Sequence, residues 1–192
     1  FCNDKILTFF IEITNEFVRY NNQKFYISSI QGLKYGVFVQ VINGVRTSSY
    51  LIDFNGGHSG SIHIECKRVF RSEAQAEQDF NRILDALFHQ VVPCLVQRLA
   101  EQVIIGTPLH VGSCRLTNNG MYITTGALLW KKETLVPLSD VRFSSGSGQV
   151  WVSSVKDKEI STSMAIRDIW NGALLEFITK AIVEMKAKRK SS

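Results

Sequence analysis

Apolar and polar residues along most of this chain fall into short runs with strand spacing, and long helical stripes occur only twice. Residues 7–14, 17–20 and 25–30 predict strands, with turns near Asn15 and at Asn21-Asn22-Gln23-Lys24. Residues 35–42 are rich in Val, Phe and Ile, as a half-buried strand should be. Asn43-Gly44 follows, a pair that accepts the positive φ of a tight hairpin turn, and residues 47–54 answer as the return strand. After the turn Asn55-Gly56-Gly57-His58, the segment Ser61-Ile62-His63-Ile64-Glu65-Cys66 alternates apolar with polar, so one of its faces is solvated. A helix is predicted over residues 72–104. Ser72 and Gln75 form a capping box, and Phe80, Ile83, Leu84, Leu87, Phe88 and Val91 form one apolar stripe. Pro93 predicts a kink or break, because it cannot donate to the carbonyl four residues back. Leu95, Val96, Leu99 and Val103 continue the stripe until Gly106 and Pro108 end it.

The pattern then begins again. Residues 109–116, 121–124, 128–131, 135–141, 149–155 and 160–166 are strand candidates, with turns at Asn118-Asn119-Gly120 and a flexible loop over Ser144-Ser145-Gly146-Ser147-Gly148. A last helix is predicted over 168–187, with Asp168 as N-cap and Trp170, Leu174, Phe177, Ile178, Ala181 and Ile182 as its buried stripe. The wording also repeats: Ile13-Thr14-Asn15-Glu16-Phe17-Val18-Arg19-Tyr20 is echoed by Leu116-Thr117-Asn118-Asn119-Gly120-Met121-Tyr122-Ile123. Repetition of strands and a closing helix predicts an α+β chain of two units, residues 1–105 (strands 7–67, helix 72–104) and 106–192 (strands 109–166, helix 168–187). Units of that size bury a modest core alone, which predicts that they pack on each other.

Composition narrows the class more than the function. Of 192 residues, 45% are hydrophobic and 20% charged, ordinary for a globular protein, and the formal charge is +5. Part of that excess sits at one end, in Lys186, Lys188, Arg189 and Lys190, which suits either an anionic surface or a solvated helix end. Cys2, Cys66, Cys94 and Cys114 have no paired spacing; Cys66 and Cys94 read as small core residues, and the four predict no disulfide framework. No asparagine begins a glycosylation sequon. These features predict a reduced chain in the cytoplasm or on the cytoplasmic side of a membrane. The first residue is Phe1, which reads as a fragment of a longer chain whose upstream signals or anchors lie outside the sequence.

In each half a turn and short strand lead into an apolar-x-Ser-x-apolar segment, Ile27-Ser28-Ser29-Ile30 and Leu138-Ser139-Asp140-Val141. With consecutive hairpins and a C-terminal helix, this resembles pleckstrin-homology-like (PH-like) and GRAM-like domains, and in particular a family of uncharacterised proteins built from two such units. The resemblance runs from about residue 10 to 182 and includes Asn43-Gly44-Val45 before Tyr50, and the join Ile105-Gly106 to Leu109-His110-Val111-Gly112. It departs at Glu16-Phe17, which stands where the second copy has Asn119-Gly120, and a tryptophan common in the family's segment is absent from both copies. It implies two tandem PH-like units, each a bent antiparallel meander or barrel capped by a helix, and no catalytic residues or cofactor. It also implies partners of the lipid, peptide or protein kind.

Lys131 and Lys132 neighbour each other on a predicted strand and so point to opposite faces, which disfavours a phosphate clamp. His63 and Cys66 likewise face opposite sides, and with His58 they fall short of a tetrahedral metal set. His89 and His110 have no nucleophile motif beside them, and the Ser-Gly loop lacks the lysine of a phosphate-binding loop. Arg68, Arg71, Arg82 and Arg98 are interspersed with Glu73, Glu77, Asp79, Asp85 and Glu101, which disfavours nucleic acid. The sequence therefore predicts a non-catalytic interaction module that takes a protein or peptide on a sheet edge or groove. Tyr26, Tyr35, Tyr50, Trp130 and Trp151 are its candidate anchors. The alternative is peripheral binding to anionic lipid through the basic residues Lys131, Lys132, Lys186, Lys188, Arg189 and Lys190.

Overall fold

Ser29 turns the chain where the apolar pattern predicts a straight strand. Its hydroxyl donates to the Tyr26 carbonyl at 2.8 Å and the Ile30 N–H donates to the Ile27 carbonyl at 3.2 Å, so Ile27–Ser29 is a 3-10 turn. The strand expected over residues 25–30 therefore stops at Tyr26. The second copy does the same: after Pro137, the Asp140 N–H donates to the Pro137 carbonyl at 2.9 Å and Leu138–Asp140 is again a 3-10 turn. The strand expected over 135–141 is thereby split. Short runs such as Ile27-Ser28-Ser29-Ile30 and Leu138-Ser139-Asp140-Val141 read as extended by periodicity, but a local bond between residues three apart competes with the sheet ladder, helped in the first half by the Ser29 hydroxyl.

The computed structural model describes residues 11–57, 60–67, 72–126 and 130–190. Cys2, the predicted strand residues 7–10, and His58, Arg68, Arg71 and Leu128 lie outside them. Before the first 3-10 turn, β1 (Ile11–Ile13), β2 (Phe17–Tyr20) and β3 (Gln23–Tyr26) form one antiparallel sheet. After it, β4 (Gly32–Ile42), β5 (Val45–Asn55) and β6 (Ser61–Lys67) form another. Helices α1 (Glu73–Gln90) and α2 (Val92–Ile104) follow. The second half repeats this order. Its first sheet is β7 (Leu109–Val111), β8 (Cys114–Thr117), β9 (Gly120–Thr125) and β10 (Lys132–Val136). Its second is β11 (Val141–Gly146), β12 (Gln149–Ser154) and β13 (Ser161–Ala165), and helix α3 (Leu175–Lys190) closes the chain. The protein is thus α+β with four small antiparallel meanders. None of these sheets closes into a barrel among the described residues.

Two hairpin turns carry positive φ at both of their central residues. Asn43 and Gly44 (φ 52° and 77°) close the β4–β5 hairpin between Ile42 and Val45. Ser147 and Gly148 (φ 49° and 73°) close β11–β12 between Gly146 and Gln149. The five-residue loop expected over 144–148 is therefore a two-residue turn, and Ser144, Ser145 and Gly146 belong to β11. No strand covers Trp130 or Lys131, contrary to the expectation for 128–131.

The capping box at Ser72 and Gln75 is present, and the helix breaks at Val91, two residues ahead of Pro93, as the missing donor predicts. Phe80, Leu87 and Val91 are buried from α1, and Leu95, Leu99, Ala100 and Val103 from α2. Phe80 lies against the Tyr35 and Tyr50 rings of the sheet below. Cys94 faces solvent, not the core, because Pro93 and Cys94 fall on the polar side of α2 between Val92 and Leu95. α2 packs on α3 and also on β7 and β8, and Phe88 of α1 meets Phe177 of α3 edge to face, so the two halves share one helical layer. Leu175, Ile178 and Ile182 fill that layer from α3, while Phe177, expected in the buried stripe, is about half exposed.

α3 starts seven residues later than predicted, at Leu175 and not Asp168. The cause is Asn171. It sits in the left-handed region (φ 61°), buried; its side-chain Oδ1 accepts from the Leu33 N–H at 3.1 Å and its Nδ2 donates to the Gln31 carbonyl at 3.2 Å. Its own N–H donates to the Leu33 carbonyl at 2.9 Å. Residues 167–171 are held along the start of β4 by these bonds, with Trp170 against Gly32 and under the Lys34 ammonium. Asp168 pairs with Arg167 instead of capping a helix.

Candidate interaction surface

Strand β4 is one edge of its sheet, and the hydrogen-bond parity says which of its groups face outward. A two-residue turn is flanked by a hydrogen-bonded pair, here Ile42 and Val45, and such pairs recur at every second residue. The even-numbered residues of β4 therefore bond to β5, and Leu33, Tyr35, Val37, Val39 and Val41 aim their N–H and C=O away from it. Leu33 confirms the parity, because both its backbone groups are taken by Asn171. Asn171 acts as one residue of an added strand and then leaves the edge. Beyond it, the backbone groups of Val37, Val39 and Val41 have no partner among the described residues.

The side chains of this stretch are also uncovered. Val37, Phe38, Val39 and Val41 are exposed, Val41 by 69%. Residues 35–42 were expected to be half buried; only the start of the strand is. Leu33 is buried and Tyr35 packs its ring on Phe80 and Phe88, but from Val37 onward β4 runs past the helix that covers it. β6 ends at Lys67 opposite Ser49, so among the described residues β5 positions 45–48 pair with β4 alone. The result is a projecting two-stranded ribbon, a form with little stability of its own. It is tied down by Ser48, whose buried hydroxyl donates to Glu73 Oε1 at 2.7 Å at the start of α1. On its outer face the Arg167 guanidinium lies over Phe38.

The residues singled out from sequence are dispersed. Trp130 is 84% exposed beside Lys131, just ahead of Lys132, which opens β10 in the first sheet of the second half. Trp151 is partly exposed on β12 of the other sheet, opposite Ser144 and Ser163. Tyr50 is core and Tyr26 is exposed with Lys24 over its ring. Lys186 and Arg189 come together: they line a shallow cleft of about 380 Å³ with Ile104, Asn118 and Asn119. The Lys186 ammonium there donates to the Asn118 carbonyl. Lys188 is on the exposed side of the same helix, and Lys190 is its last residue. The basic tail thus does not converge with Lys131 and Lys132 in one sheet or one cleft.

Polar clusters elsewhere have structural partners. Lys34, Asp53 and His63 stand side by side across β4, β5 and β6, with His63 Nδ1 and the Lys34 ammonium both on the Asp53 carboxylate. His63 is exposed and Cys66 buried, on opposite faces of β6. Among the described residues no group of three His, Cys, Asp or Glu is placed to hold a metal ion. Burial pushes the Cys114 thiol up to about 12, so it is inert as a nucleophile at neutral pH. The Arg115–Glu133 bond at 2.7 Å holds the Glu133 carboxyl below its ordinary range. No helix among the described residues is long and apolar enough to cross a membrane.

The edge of β4 was the feature that sequence reading missed. Its signal was present: Val37-Phe38-Val39-Gln40-Val41 has apolar residues on both faces and no charge, which a strand with one solvated face does not need. No family model, curated protein or solved structure matches this chain.

Proposed function

We propose that this protein is a non-catalytic binding module of two PH-like units that takes an extended polypeptide by strand addition to β4. The carrying observation is the uncovered half of that edge, where Val37, Val39 and Val41 present unpaired backbone groups between exposed apolar side chains. Main-chain hydrogen bonds supply affinity in this mode, and alternate side chains supply selectivity. Asn171 supports the reading by occupying the neighbouring position of the same edge in the same way. The PH-like reading draws on the element order, repeated in each half, of hairpins, a 3-10 turn, a three-stranded meander and a helix. A Val39→Lys change leaves the bonds to β5 in place and puts a charge on the edge; affinity capture of strand-forming partners should fall by at least about tenfold. Equal capture by both proteins would remove β4 as the binding edge.

A second reading has one specific observation in its favour, the shared cleft of Lys186 and Arg189, which suits an anionic headgroup. Co-sedimentation with vesicles containing anionic lipid tests it. Binding that weakens with salt and with Lys186→Ala/Arg189→Ala supports it, and no binding at low salt removes it.

A further inference from the structure

We infer that the strand added to β4 is β4 of a second copy of this chain, paired antiparallel about Val39. This rests on the edge reading above and commits to its occupant. The first argument is length. The free edge begins after Leu33, where Asn171 blocks further pairing, and ends at the Asn43-Gly44 turn. Val39 lies midway between Leu33 and Val45. In a pair centred on Val39, the second copy's strand turns away at its own Asn43-Gly44 before it reaches Asn171, and the reverse holds for the first copy. A longer incoming strand would run into Asn171 and Trp170.

The second argument is hydrogen-bond parity. Centring on Val39 sets Val39 opposite itself and Val37 opposite Val41, and these are the residues whose N–H and C=O face outward. Any register that shifts by one residue opposes outward with inward groups and forms no ladder. The third argument is side-chain and charge compatibility. Val37, Val39 and Val41 meet as a valine ladder on one face, and Phe38 lies beside Gln40 of the second copy on the other. Residues 35–44 carry no charge, and Lys34 falls opposite Gly44, so a chain of net charge +5 brings no like charges into register here. Such an interface is isologous: it doubles the three-stranded sheet and uses the β4 edge of both copies, so this contact closes at two.

Sedimentation velocity on the whole chain across a concentration series tests the inference. Wild type should shift from monomer to dimer and no further. Val39→Pro removes only an outward N–H, so the β4–β5 ladder survives, and the dimer should weaken at least about tenfold while circular dichroism is unchanged. Val39→Lys opposes two cations at the centre, and its association should recover in part at high salt. A wild-type chain that stays monomeric at every concentration overturns the second copy as occupant. The edge reading then stands or falls on whether a synthetic peptide of residues 35–43 slows amide exchange at Val37, Val39 and Val41. A dimer unaffected by either Val39 change overturns the β4 interface.

Discussion

The hairpins β4–β5 and β11–β12 begin alike and end differently. Each follows a 3-10 turn and closes on a two-residue turn with both φ values positive. β4 and β5 run for 11 residues each, β11 and β12 for 6. The short hairpin is paired with β13 along most of its length, and its outer half is Ser144-Ser145-Gly146. The long one outgrows β6 and α1 and shows four apolar residues to solvent. A hairpin as long as its covering elements is scaffold; one that overshoots them leaves an uncharged β4 edge uncovered, the surface proposed above for a partner.

The 3-10 turns that launch these hairpins are held by different forces, and this gives the largest predicted difference. Arg98 of α2 reaches across to Ile27–Ser29: Nη1 donates to the carbonyls of Ile27 (3.1 Å) and Ser28 (2.6 Å), and Nη2 to that of Ile30. Burial of this guanidinium lowers its pKa from the ordinary arginine value. Arg98→Met should cost about 3 kcal/mol in urea unfolding, because part-buried carbonyls lose a charged donor. In the second half, Lys156 holds Asp140 from the surface at 2.7 Å. Lys156→Met should cost only a small fraction of that, as for other exposed pairs. If the two changes cost the same, the two turns are not held differently. Lys156 also holds the Asp140 carboxyl below its ordinary range, so its small contribution is present above the unfolded carboxyl pKa and is lost as pH falls through the lowered folded value. The pH dependence of stability in Lys156→Met should be correspondingly flatter on the acid side.

The join between the halves ranks next. Asn171→Ala removes two side-chain bonds, to Leu33 of β4 and to Gln31 just before it, and leaves alanine in a left-handed conformation, for a cost of about 2–3 kcal/mol in the same unfolding experiment. Gly36→Ala would push a Cβ to 2.5 Å from that of Arg167, loosening the same contact from the other side. The hairpin turns separate by smaller amounts. Gly44→Ala, at φ 77°, should cost about 1 kcal/mol, whereas Ser147→Asn should gain a few tenths, since asparagine tolerates φ 49° better than serine. The cysteines offer a check that needs no energy. Cys94 should react with a thiol reagent in the native protein, and Cys66 and Cys114 only on unfolding.

Much of this architecture was legible in the residues. Asn43-Gly44, the Ser72–Gln75 box and the break ahead of Pro93 were readable because each is a local rule with a steric or hydrogen-bonding cause. The failures have a common cause of the opposite kind. Ile27–Ser29 and Leu138–Asp140 read as strand because periodicity cannot see the local bonds that close them, the Ser29 hydroxyl on the Tyr26 carbonyl and the Asp140 N–H on the Pro137 carbonyl. Asp168 read as a helix start because nothing nearby reveals that Asn171 is taken by Leu33, far off in sequence. The β4 edge went unread for the same reason. Trp130, Lys131 and Lys186 stood out by residue type, but where β4 emerges from under α1 depends on tertiary packing, so Val37 to Val41 read as half-buried strand.

The central claim, that β4 offers a free edge which a second strand completes, is tested most directly by residue-resolved amide exchange along that strand. In dilute protein, Phe38 and Gln40, bonded to β5, should be protected, and Val37, Val39 and Val41 should exchange freely. On concentration the three valines should gain protection and the alternation should fade. Valine amides already protected when dilute, or still free in concentrated protein and with the residue 35–43 peptide, would contradict it.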